Sequence, residues 1–237
     1  MKKGLILLSV LLTALLVAPS VFAYTVSYVD GTTYNTSGLT GYSTSGDDMA
    51  GMTITATLSD GTVDTQIWSV TGAASGGVTG AGWGLSVSGD TFDTFGSGWP
   101  LTLSLDAGIN LSSLVIDAGT GDAVFDVLSG YYDPPDSSPG SENGMAFNTT
   151  SSAFIDALYS DMVSVDGVFY GDLYRTLSLD FGDNGLSTGF TFYADTDSLL
   201  LDDDLTPTDP VPEPATLLLM GVGLFGLAAT RRFRKKA

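Results

Sequence analysis

Of the 27 acidic residues in this chain, 25 are Asp, and only Glu142 and Glu213 are Glu. Asp hydrogen-bonds its own backbone and favours turns, whereas Glu is a good helix former, so this choice of acid disfavours helices. With 30 glycines spread along the chain, it predicts strands joined by tight turns. The hydrophobic pattern agrees. In residues 52–58, Ile54, Ala56 and Leu58 alternate with threonines, the period of two expected of a half-buried strand. Asp60-Gly61 then offers a two-residue hairpin turn, with residues 63–70 as the returning partner.

Similar runs occupy residues 84–88, 101–105, 111–116, 124–128, 162–165, 168–170 and 173–181. Asp166-Gly167 is a turn between two of them, and Asp183-Asn184-Gly185 is expected to lead residues 177–181 into a partner at 190–194. Residues 152–160 fit either one helical turn or a strand, and the strand is preferred. Residues 72–82, rich in glycine, and 131–143, with three prolines, read as surface loops. About ten to twelve short strands predict an all-β fold, an antiparallel β-sandwich of jelly-roll-like type. A body of about 190 residues is long enough to bury one core.

Charge excludes several functions. Between residues 24 and 214 Arg175 stands alone against 27 acids, a formal charge of −26. Such a surface repels nucleic-acid phosphates and anionic lipid, so no nucleic-acid partner is expected, and it attracts cations. The chain contains no Cys and no His, which removes disulfides, soft metal sites and Cys–His or Ser–His–Asp catalysis. No catalytic residue is assigned. Glycoside hydrolysis is the one reaction class left open, since it needs only two suitably spaced carboxylates.

An oxygen-only donor set suits calcium, the one cofactor indicated. Asp47 and Asp48 precede the strand at 52–58, while Asp195 and Asp197 follow the one at 190–194 and share a face at period two, so these four form the candidate metal set. Asp117–Asp122, DAGTGD, reads as a glycine hairpin. A sugar site is the other candidate, built from Trp68, Tyr131 and Tyr132, with Trp83 and Trp99 more ordinary core residues. Trp68 falls on the strand face of Asp64, Gln66 and Val70 and is expected to be partly exposed. Arg175 falls with Leu173, Leu177 and Leu179 and is expected to be a partly buried partner of a carboxylate.

The two ends carry addresses. Lys2 and Lys3, an apolar stretch at 5–17 and the small residues of Val21-Phe22-Ala23 make a signal peptide over residues 1–23, cut between Ala23 and Tyr24 by signal peptidase. At the other end Pro212-Glu213-Pro214 precedes sixteen apolar residues, 215–230, which as a helix span about 24 Å, short of a hydrocarbon core of about 30 Å. Arg231, Arg232, Arg234, Lys235 and Lys236 form a cytoplasmic stop and snorkelling anchors. Residues 215–237 therefore read as a single transmembrane helix with a basic tail, 205–214 as a Pro-rich linker and 24–204 as the ectodomain. Gly221-Val222-Gly223-Leu224-Phe225-Gly226 matches a dinucleotide-binding motif in letters only, because no βαβ context surrounds it.

The signal, the Pro-Glu-Pro element, the apolar run and the Arg-rich end together resemble the PEP-CTERM class of bacterial surface proteins. The body stretches at Gly46, Gly82, Leu114 and Gly171 are similar to bodies of that class whose activity is not known, which favours a β fold and brings no catalytic residue. The resemblance implies an inner-membrane-anchored precursor recognised at Pro212, Glu213, Pro214 and the Arg231, Arg232, Arg234 cluster by an exosortase-type membrane protease. Release to the cell surface or an exopolysaccharide matrix follows. The expected role is a structural or adhesive protein of that biofilm matrix, with a carbohydrate- or calcium-binding module, and then a glycosidase, as alternatives.

Overall fold

The computed structural model describes residues 24–41, 44–88, 100–127, 144–199 and 205–207. By internal contacts the chain divides into units Met1–Thr206 and Pro207–Ala237. The signal peptide, its cleavage site at Ala23, the membrane helix, Pro212, Glu213, Pro214 and the basic cluster all lie outside the described residues. No helix among the described residues is long and apolar enough to cross a membrane.

Among the described residues the body contains two β-sheets. The larger contains β1 (Tyr24–Val29), β2 (Tyr34–Thr36), β3 (Leu39–Gly41), β4 (Thr53–Leu58) and β5 (Val63–Ile67). The chain then crosses to the smaller sheet for β6 (Ser69–Gly72), β7 (Ser75–Thr79), β8 (Trp83–Val87) and β9 (Pro100–Leu105). It returns to the larger sheet for β10 (Leu111–Asp117) and, after a 3₁₀ turn at Ala118–Gly121, for β11 (Ala123–Asp126). β12 (Asn148–Thr149) joins the smaller sheet, and β13 (Ile155–Val165) and β14 (Val168–Asp180) the larger. β15 (Phe190–Tyr193) completes the smaller sheet, and β16 (Asp195–Leu199) and β17 (Thr206–Pro207) the larger.

The hairpin β13–β14 is the spine of the larger sheet. It turns at Asp166-Gly167, both at positive φ of 51° and 77°, the geometry that matches strand twist. β10 and β11 lie end to end along one side of β14, and β1 and β2 end to end along β13. The expected sandwich is corrected in two respects. β1 and β2 pair parallel with β13, so the body is not purely antiparallel. β6 to β9 also form a meander within one sheet, where a jelly roll alternates between sheets.

The sheets share one core. Ile54, Leu114, Ile116, Leu177 and Leu179 from the larger sheet meet Trp83, Leu85, Leu101, Leu103 and Phe192 from the smaller. A second, smaller cluster, Val124, Val163, Val165, Leu173 and Leu199, lies apart from it. Adjacent strand residues point to opposite faces, so Val124 and Phe125 place the two clusters on opposite sides of β11. The changeover along β13 falls around Asp161, at φ 65°, and the register shift that follows between Met162 and Ser164: Tyr159 belongs to the main core before it and Val163 to the second cluster after it. Across the pair, Leu177 and Leu179 face the main core while Leu173 joins the second cluster, which corrects the single face expected for these leucines.

Several turns differ from expectation for local reasons. At Asp60-Gly61 only Gly61 has a positive φ, 87°, and Leu58 donates its N–H to Thr62 O, so the loop is three residues closed by a glycine bulge. The Asp183–Gly185 turn carries the chain from one sheet to the other instead of closing a hairpin, since β14 and β15 belong to different sheets. Residues 75–79, expected as loop, form β7. A Cβ on Gly76 would lie 1.9 Å from Gly46 O, so the glycine serves close backbone packing. Leu205, expected to begin the free linker, packs against the second cluster.

A candidate metal centre

Strand β16 of the larger sheet gathers buried acid. β16 pairs antiparallel with β11, which sets Asp126 opposite Asp195 and Val124 opposite Asp197. Asp195 and Asp197 share a face at period two, so all three carboxylates project to the side of Val124 and Leu199. Met145 closes the strand ends, donating its N–H to Asp126 O at 3.0 Å and accepting from Asp195 N–H at 3.1 Å. One carboxylate oxygen from each of Asp126, Asp195 and Asp197 lies within 4.8 Å of the others. Asp172 is beside them, its carbonyl accepting from Val127 N–H at 3.0 Å. Each of these four Asp residues is only 1% exposed.

Like charges directly opposite in a sheet destabilise it, and burial removes the water that would screen them. Burial first, then the charges of Asp195, Asp126 and Asp172, push the Asp197 carboxyl up to about 9. Its Oδ2 is buried with no hydrogen-bond donor. No cation of the body relieves this. Arg175, the only Lys or Arg in residues 24–214, is committed to Asp117, with Nε to Oδ1 at 2.7 Å and Nη2 to Oδ2 at 2.8 Å. It also stacks over the Tyr34 ring at 4.5 Å. Gly119 makes this possible, because a Cβ there would lie 2.8 Å from Arg175 Cγ. The expected partly buried pair is therefore present, at side-chain exposures of 19% and 27%, and the DAGTGD segment is a 3₁₀ turn rather than a hairpin.

The structure divides the four residues of the expected metal set. Asp195 and Asp197 stay together, but Asp47 and Asp48 form a turn of their own. Ser45 N–H donates to Asp48 Oδ2 at 2.9 Å, and its hydroxyl donates to Asp48 Oδ2 at 2.6 Å and lies against Asp47 Oδ1. The segment before them does reach β16, through Thr44, whose hydroxyl donates to Thr196 O at 2.9 Å. Asp126 and Asp172 were missed. Their signal was a lone acid set in an otherwise apolar stretch, AVFDV and VFYGDLY, and the register that aligns them exists only once β11, β14 and β16 are paired.

The sugar candidates fare differently. Trp68 is 1% exposed and donates its indole N–H to Gly46 O at 2.7 Å, which corrects the expected exposure. The parity holds for Asp64, Gln66 and Trp68 with the face reversed: Val63 and Ile67 point outward at 62% and 69% exposure, Asp64 accepts from Ala81 N–H and the Trp83 indole, and Val70, in β6 of the other sheet, is exposed and does not share the face. Trp83 is a core residue. Tyr131, Tyr132 and Trp99 lie outside the described residues.

Residues 210–235 match the PEP-CTERM protein-sorting motif. No curated protein and no solved structure matches the chain. Twenty-six residues of motif speak for the tail and leave the chemistry of the body to its own geometry. This chain thus carries a PEP-CTERM sorting motif behind an all-β body, and the motif implies an exported protein, sorted to the membrane and cell surface and processed by an exosortase.

Proposed function

We propose that the protein is a structural or adhesive component of an extracellular polysaccharide matrix, delivered there by cleavage of its C-terminal signal. The sorting motif at residues 210–235 carries this reading. An acidic body of formal charge −26, one cation against 27 acids, supports it, because such a surface stays soluble and dispersed and takes up cations. A hydrolase would need its acid pair in a cleft open to sugar, and the carboxylates that converge here are enclosed at 1% exposure. Mass spectrometry of cell-surface and medium fractions tests the reading. It should find a C-terminus near Pro212-Glu213-Pro214 and no basic tail, in material that co-fractionates with exopolysaccharide. Finding only the intact C-terminus at Ala237 would instead mean a permanent anchor.

A further inference from the structure

We propose that Asp126, Asp195 and Asp197, with Asp172 beside them, hold one calcium ion. Calcium binds oxygens at about 2.3–2.6 Å, so ligands on opposite sides of one ion are up to about 5 Å apart. The three carboxylate oxygens, mutually within 4.8 Å, fit around a single ion of that size. Asp197 Oδ2, buried and without a hydrogen-bond donor, is the independent sign of a missing partner. A buried polar atom is otherwise satisfied in nearly every case. The donor set is oxygen only, in a chain without Cys or His, which points away from zinc. Magnesium demands octahedral geometry and retains several waters, for which an enclosed site at 1% exposure has little room.

The ion would join β16 to β11 across the register pair Asp126–Asp195. β14 contributes through Asp172, so the ion would fasten the final long strand of the body to the spine hairpin. This inference stands on the body alone. It survives or fails independently of the matrix reading, which C-terminal cleavage decides.

The test uses the full chain in detergent, stripped with chelator, then given calcium or magnesium at constant ionic strength. Extracellular calcium modules bind at about 10⁻⁴–10⁻³ M, so titration should extend to about 10 mM. Equilibrium dialysis should show one saturable calcium per chain, and the thermal midpoint should rise by about 5–10 °C at a hundred-fold excess over Kd. Asp126→Asn and Asp195→Asn should each weaken binding at least about ten-fold. Their calcium-free midpoints should match or exceed the parent's, because one of three crowded charges is gone, and this separates a lost ligand from a failed fold. Asp197→Asn, whose amide keeps the shape of the carboxyl, repeats the test on the most strained member. Asp47→Asn should bind as the parent does. Absence of saturable calcium binding overturns the proposal, as does an equal response to magnesium. Calcium affinity retained in all three Asn variants would also overturn it.

Discussion

The two faces of β11 and β16 are made by neighbouring residues and stabilised by opposite means. On one face Phe125 packs edge-on to Tyr159, ring centroids 5.6 Å apart, within the core that both sheets share. On the other face Val124 and Leu199 belong to a cluster of five buried residues, with Asp126, Asp195 and Asp197 beside it. A fully buried aliphatic or aromatic side chain contributes about 1.5–3 kcal/mol, so the first face is secured by area alone. The second has little area and a concentration of like charge. The only cation of the body sits at the other end of the 3₁₀ turn, on Asp117. The difference teaches where this fold concentrates like charge that its own cation does not reach: at the acidic face, and not at Arg175.

Changing pH should act most strongly on that contrast. Asp197 titrates near 9 in the folded chain against an ordinary value of 3.8, so its contribution to stability is present in full below about 3.8 and is lost as pH rises through about 9. Asp126, Asp172 and Asp195 are the charged groups that face it. Calcium-free protein should therefore melt at falling temperature as pH is raised from about 5 to about 9. Asp197→Asn should flatten the slope, and a midpoint that climbs over this range would show the cluster to be relieved some other way. Asp64, held low first by the Ala81 N–H and then by Gln66 and Trp83, acts in the opposite sense: its contribution is present above 3.8 and fades in acid.

Removing the cation probes the other side of the comparison. Arg175→Met leaves Asp117 without its bidentate partner and takes the guanidinium from Tyr34. A fully buried pair broken this way costs about 3–5 kcal/mol and an exposed one at most about 1, so a pair at 19% and 27% exposure should cost about 2 kcal/mol. Denaturant unfolding reads this as a lower midpoint with unchanged slope, and a loss under about 1 kcal/mol would reduce the pair to a surface contact. The smallest effect is expected at the Asp47–Asp48 turn. Asp47→Asn keeps a hydrogen-bonding side chain beside Ser45 at a half-buried position, so the thermal midpoint should barely move. A larger loss would mean that this turn is coupled to the acidic face after all.

Most strands were legible because alternation is a local property. Residues 53–58, 83–87 and 101–105 show it plainly, and each is a strand. The ambiguous stretch at 152–160 also resolved as expected, into the start of β13. Faces were less legible. The expectation of an outward Trp68 rests on Asp64 and Gln66 sharing its face; Asp64 is satisfied there by Ala81 N–H and the Trp83 indole from the β-meander, and Gln66 donates to Asp64. Leu173 is expected with Leu177 because nothing in the letters shows the break in alternation where β13 and β14 pass around Asp161 and shift register between Met162 and Ser164.

By itself the sequence determined the class of the body and the address of the tail, since both are written in short-range patterns: periods of two, Asp–Gly turns, and a Pro-Glu-Pro element before an apolar and a basic segment. It also determined which chemistry the body must do without, because absent His, Cys and Lys side chains cannot be supplied by folding. Only the tertiary structure decided which of 25 Asp residues matter together. Asp126 and Asp195 are 69 positions apart in the chain and directly opposite in the sheet. Convergence of that kind comes from strand register and from burial, and both are set by the whole core rather than by any segment within it.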